Sequence, residues 1–353
     1  MKKLMLSAAA LIFAAVGYSQ SNTSTVTQTG SGNSSSVIQA GMTNLSDVDQ
    51  TGDGNASEVT QSGTSNDSDV DQEGNNNDYD VDQSGTTNES VVLQDGNGNL
   101  GGGPSLIWGT RQIGTDNESS TSSVGDNNNA GTSQEGERNM AVIDQVGNAN
   151  VANGGNFGIR QIGNDNNTEI GQYGNGNFGT SFQTGNDNYF LITQTGDGNT
   201  ATSDQNGVSN RGGDPSPGLI WGIRQLGNDN IADNDQDGDN NTSGAGQYGD
   251  MNESYISQTG NDNIANGGLF GNYQDGNNNI AEIDQDGNMN DAQNTQLGDS
   301  NDATATQDGV SNFSRTLQDG NMNTNVTTQT GATHSSLVDQ IGNGNNSTVT
   351  QSN

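Results

Sequence analysis

Carboxylates are the only abundant side chains in this sequence that could move a proton or hold a cation. Asp and Glu number 43, against one histidine, His334, and no cysteine. Acid–base catalysis needs one such group set apart by its surroundings. Here the acids recur in register, as with Asp47 and Asp49 and then Asp69 and Asp71, and none breaks the pattern so as to mark one place in the chain. His334 fills a position that asparagine holds elsewhere, as a tolerated substitution would. TGDGN (residues 51–55) and QDGN (residues 94–97) place oxygen donors in turns. The spacing of an EF-hand loop and the glycine-rich calcium nonapeptide are both absent. No catalytic residue, cofactor or dedicated metal site is expected, only weak, scattered cation binding by acidic faces.

The groups that do keep a fixed spacing are amides. A Gln-x-Gly-x-x-Asn motif starts at Gln28, Gln39, Gln50, Gln61, Gln72, Gln83 and Gln94, and its asparagines include Asn33, Asn44, Asn55, Asn66, Asn77 and Asn88. It resumes at Gln112, passes a degenerate Ser123-Val124-Gly125, and continues through Gln134 and Gln145. Later blocks run from Gln161 to Gln205, from Gln225 to Gln258, and through Gln274, Gln285, Gln296, Gln307, Gln318, Gln329, Gln340 and Gln351. The blocks hold 28 units, and every step inside a block is 11 residues.

Between each asparagine and the next glutamine the residue types alternate. In residues 55–61, Asn55, Ser57, Val59 and Gln61 share one face, while Ala56, Glu58 and Thr60 share the other. The same frame puts Ser46 and Val48, Ala141 and Ile143, and Ala281 and Ile283 inward, and most acids outward. That is the period of a half-buried strand of about seven residues, and the glycine–asparagine segment supplies a turn at positive φ. The expected fold is therefore all-β: a β-solenoid of stacked strand–turn–strand coils, two 11-residue units to each 22-residue coil, amyloid-like and cross-β. Coils stacked about 4.8 Å apart put each amide over its copy, where stacked amides satisfy one another. Fourteen such coils make a rod of roughly 65 Å.

Composition agrees with a repeat array rather than a globular design. Only 26% of the 353 residues are hydrophobic, too few for a globular core to offset chain entropy unless the repeat itself supplies the order. Residues 1–19 read as a secretory signal peptide: Lys2 and Lys3, an apolar run over residues 4–16, and small Gly17 and Ser19 before a cut at Gln20. Its removal takes the formal charge from -35 to -37, which argues against nucleic-acid partners. Residues 20–353 form one repeat array with glycine-rich insertions at about 100–110, 151–160, 211–224 and 264–273. The insertions match in pairs 113 residues apart, so a module has been duplicated. If they leave at turns, unit parity sends the first two from one edge and the last two from the other. Trp108 and Trp221, each followed by an arginine (Arg111 and Arg224), read either as a sugar- or partner-binding loop or as packing over a widened coil.

The motif, as in QTGDGNASEVTQ (residues 50–61) and QSGTSNDSDVDQ (residues 61–72), resembles the curlin repeat of curli, the bacterial surface amyloid. The resemblance covers nearly all of the chain after the signal. Where the family's double repeat opens one half with serine six residues before glutamine, this chain nearly always has asparagine. The resemblance implies a subunit secreted unfolded and polymerised on the cell surface for adhesion and biofilm. Its partners would be itself, a nucleator and a secretion or chaperone machinery; no catalysis, nucleic acid or membrane span is implied. A monomeric acidic β-solenoid adhesin with capped ends is the alternative. Against capping, the first and last strands (residues 22–28 and 345–351) both contain STVTQ, so Val26 and Val349 are expected to meet neighbouring subunits. Asp47 under Asp69 and Asp49 under Asp71 should repel across coils and slow assembly, a brake relieved by acid or salt.

Overall fold

The computed structural model describes residues 21–101, 109–153, 157–213, 222–265 and 270–353. The signal-peptide reading and both tryptophans fall outside the described residues. Consecutive units alternate between two sheets, because eleven residues carry the chain through one strand and one turn. Thr23–Thr29 pairs with Leu45–Thr51, and Ser34–Met42 with Ala56–Thr64, always parallel and with glutamine aligned on glutamine except where Ser123 takes its place. Each sheet holds 17 strands, but three rungs in each are split into two short strands, so the rungs number 14 and the chain winds 14 coils. The protein is an all-β solenoid.

The residues expected inward are inward. Val48, Val59, Val70, Val81 and Val92 form one buried apolar column, and further along Ile143, Ile170, Ile192, Ile223, Ile256 and Ile283 pack with alanines. Each such side chain contributes about 1.5–3 kcal/mol by burial. A strand supplies only one or two of them, so polar side chains must fill and hold the rest.

Two turn positions take positive φ, and asparagine is neither of them. One is the motif glycine, such as Gly185 at φ 117; the other is the residue just before asparagine, for example Arg138 at φ 56 or Met251 at φ 57. Asparagine is used for its side chain instead. A Cβ on Gly185 would overlap the carbonyl oxygen of Gly207 one coil on, and the same contact recurs along both turn rows. The glycine spacing is thus a steric demand of coil stacking.

The insertions do not leave at turns. Leu100–Gly101 still pairs with Asn129–Ala130, and Thr110–Thr115 with Thr132–Glu137, so the extra residues open the middle of a strand. The first two interrupt one sheet and the last two the other, as parity requires, but on the sheets rather than at the edges. The reason lies in the flanks: the asparagine before and the glutamine after each insertion both stay in their ladders. A ring precedes the first insertion on each sheet. Tyr79 and Phe190 occupy the small inward position, and Gly101, Gly109 and Gly212 leave the room those rings fill. Tyr79 Oη makes hydrogen bonds with Thr110 Oγ1 at 3.0 Å and Thr121 Oγ1 at 3.1 Å.

Two glycine substitutions separate the steric demand from backbone preference. Gly185→Ala should lose about 3 kcal/mol or more. Gly176→Ala, at φ 64 with open space around it, should lose only about 1 kcal/mol. Urea unfolding followed by circular dichroism measures both; equal losses would contradict the contact with the next coil.

Candidate functional site

The polar interior is a set of one-way hydrogen-bond chains. In one sheet Nε2 of Gln28 donates to Oε1 of Gln50 at 2.7 Å, Gln50 to Gln72 at 2.8 Å and Gln72 to Gln94 at 2.8 Å. In the other, Gln39, Gln61, Gln83 and Gln112 follow at 2.8, 2.8 and 2.9 Å. Toward the far end Gln285, Gln307, Gln329 and Gln351 form one chain, and Gln296, Gln318 and Gln340 another. The remaining N–H reaches the backbone of the facing strand, as from Gln50 to the Ser34 carbonyl at 3.1 Å. Every donor in these chains points toward the C-terminal end.

Asparagines carry the opposite sense. The backbone N–H of Asn55, Asn66, Asn77 and Asn88 donates to Oδ1 of Asn33, Asn44, Asn55 and Asn66, one coil earlier. Their Nδ2 groups hold turn carbonyls, such as that of Gly74 from Asn55 at 3.0 Å. These amides are buried yet satisfied, which matters because each buried polar group left unpaired costs about 1–3 kcal/mol. Serine behaves differently. The inward hydroxyls of Ser46, Ser57, Ser68 and Ser90 have no partner, so serine is there for size, and alanine fills the same place at Ala141 and Ala281. One glutamine is missing: Ser123 Oγ donates to Gln145 at 3.0 Å, but Nε2 of Gln94 donates only to the Asp78 carbonyl, at 3.4 Å.

Among the described residues these columns are uncovered at both ends. Thr23–Thr29 is exposed along its length and Val26 is 46% exposed; Gln39, Val349 and Gln351 are half-buried. The two STVTQ segments lie in different sheets, Val26 in line with Val48 and Val349 in line with Thr327. They therefore do not face each other along the axis.

The outer faces are acidic columns. Asp47 aligns with Asp69 and Asp49 with Asp71. Burial, with Asp47, Asp49 and Asp67 nearby, pushes the Asp69 carboxyl up; burial, with Asp49, Asp69, Glu73 and Asp95, does the same to Asp71. Asp80 is pushed up to about 6, mainly by burial, although it accepts the Glu58 N–H at 2.8 Å. Asp204, Asp235 and Asp284 shift the same way for the same reason. Arg138 relieves one acid, holding Asp165 below the usual range through paired bonds of 2.7 Å. Arg224 lies over the Tyr248 ring and donates to its hydroxyl at 3.0 Å, with Tyr273 5.5 Å away, while Arg111 is aligned with Asp82. Among the described residues no three His, Cys, Asp or Glu side chains converge as a metal ion would require. Among them also, no helix is long and apolar enough to cross a membrane.

A family model for the curlin-associated repeat matches six segments, residues 20–52, 43–74, 74–100, 163–196, 227–260 and 326–352. No curated protein sequence matches the chain.

Restoring the missing amide should stabilise the fold: Ser123→Gln gives Gln94 its acceptor and gains about 1 kcal/mol in urea unfolding. A loss would show that serine fits a local constriction. The acid columns set a pH dependence. Their folded-state affinities for protons exceed the ordinary carboxylate range, so folding takes up protons between about pH 4 and 6. Stability should rise as pH falls through that window and fall as pH rises. The urea midpoint should be higher at pH 5 than at pH 7, and Asp80→Asn should raise the pH 7 value and shrink the difference.

Proposed function

We propose that this chain, which belongs to the curlin repeat family, is a secreted structural subunit of a curli-like surface amyloid that polymerises head to tail. The reading rests on one observation: among the described residues, both ends of the solenoid carry unpaired strands whose inward columns match. In the stack, Val338 of one copy lies on Val26 of the next, and Val349 lies on Val37. Ser336 meets Ser24, Gln340 meets Gln28, and Gln351 meets Gln39. Fourteen full coils let the ladder continue without a shift of register, and parallel pairing across the joint is that already made inside the chain. Unpaired edges of this kind recruit further strands. The signal-like residues 1–19 support export, and the fibre serves adhesion and biofilm matrix at the cell surface. Its partners are copies of itself, a nucleator and the secretion and chaperone machinery; the subunit carries no catalytic role.

The purified chain without residues 1–19 should give reflections near 4.7–4.8 Å and about 10 Å and should bind amyloid dyes. Proline placed at donors on the open edges tests the joint. The alternation set by the bonds from Thr23 to Asn44 and from Thr324 to Asn345 turns the N–H groups of Val26 and Thr348 outward. Val26→Pro and Thr348→Pro should leave the single chain folded and slow seeded elongation at least about tenfold, since each removes a ladder donor. A folded monomer that never elongates at high concentration would return the reading to a monomeric adhesin.

A further inference from the structure

The joint between copies has a fixed polarity, and one residue in it departs from the ladder. Gln340 and Gln351 each keep an N–H unspent at one end, while no described residue donates to Oε1 of Gln28 or Gln39 at the other. Donors thus meet acceptors only head to tail. The asparagine rows run the other way, so the C-terminal end must offer acceptors to the backbone N–H groups of Asn22 and Asn33 of the next copy. Asn345 offers Oδ1 to Asn33. The counterpart for Asn22 is His334.

His334 copies asparagine bond for bond on the side already formed. Its backbone N–H donates to Asn312 Oδ1 at 3.0 Å, as every ladder asparagine's does to its predecessor. Its Nε2 lies 3.0 Å from the carbonyl of Thr330, four residues back, where asparagines such as Asn44 and Asn66 place Nδ2. A carbonyl only accepts, so Nε2 carries a proton, and in the neutral ring Nδ1 is then the one acceptor. Resting on the head-to-tail reading, we infer that His334 is a proton-gated contact between copies of this chain. Neutral, its Nδ1 accepts the N–H of Asn22 of the next copy; protonated, it turns an N–H against that N–H and opposes joining.

The charged groups around it do not replace this effect. Asp339 shares its strand; Arg315 and Asp319 lie on the adjacent strand Phe313–Asp319; Asp308 is aligned with Thr330. Thr324–Ala332 and Asn346–Ser352 carry no charged side chain, and neither does Thr23–Thr29, the strand that the next copy lays against it. The backbone N–H of Asn353 donates to the same Thr330 carbonyl. Acid also relieves the carboxylate columns, but equally in any variant at position 334.

The test is seeded elongation of the purified chain without residues 1–19, comparing the parent with His334→Asn from pH 7.5 to 5.5. His334→Asn restores the repeat and is expected to fold. The ratio of variant to parent elongation rate should rise roughly tenfold as pH falls, the scale of one lost and opposed ladder bond. A ratio independent of pH would overturn the proton gate while leaving the fibre intact. Failure of both proteins to elongate at pH 7.5 would overturn the head-to-tail fibre on which it stands.

Discussion

A buried amide must find a partner, and here nearly all of the structure follows from where that partner is. Stacking places each glutamine's partner 22 residues along the chain in an uninterrupted coil, as with Gln50 and Gln72. The bond is satisfied only when coils are parallel, in register and about 4.8 Å apart. A chain with 26% hydrophobic residues can then fill its interior with polar side chains. The net gain per bond is modest, about 1 kcal/mol, but the loss for any slip is larger, because slipping strands buried donors and acceptors together. The ladder therefore specifies the fold more than it stabilises it.

The turns obey the same constraint from the outside. Coils this close leave no room for a Cβ at the motif glycine, so Gly185 meets the Gly207 carbonyl directly. The residue before asparagine absorbs the other positive φ at the usual cost, whether it is Arg138, Met251 or Asp262. Extra residues can enter only where neither rule is broken. The middle of the strand, between asparagine and glutamine, is such a place, and Gly131 and Gly244 occupy it in the unexpanded strands between each pair of insertions. A 113-residue module with an odd number of units then carries its copy to the opposite sheet.

Outside, the acids give solubility at the expense of repulsion along each column. Their proton affinities are raised chiefly by burial and secondarily by aligned neighbours, as at Asp69 and Asp71. The interior thus favours indefinite stacking while the surface opposes it in a pH-dependent way.

The sequence by itself determined the period, the inward face and the coil count. Spacing and alternation are properties of the chain read in one dimension, and residues such as Val48, Ser57 and Gln72 could be assigned from them. Parity likewise fixed which insertions share a sheet. The atoms decided the rest. Spacing cannot say that Gln28 donates rather than accepts, that Ser68 Oγ finds no partner, or that asparagine works through its side chain while its predecessor takes the left-handed turn. Nor did the repeated STVTQ reveal that its two copies lie in different sheets. Tyr79 and Phe190 were visible as large residues in a small position, but only the facing glycines explain them. Each of these depends on contact with a coil 22 or more residues away, where bond direction and steric overlap are set by three-dimensional approach and not by order along the chain.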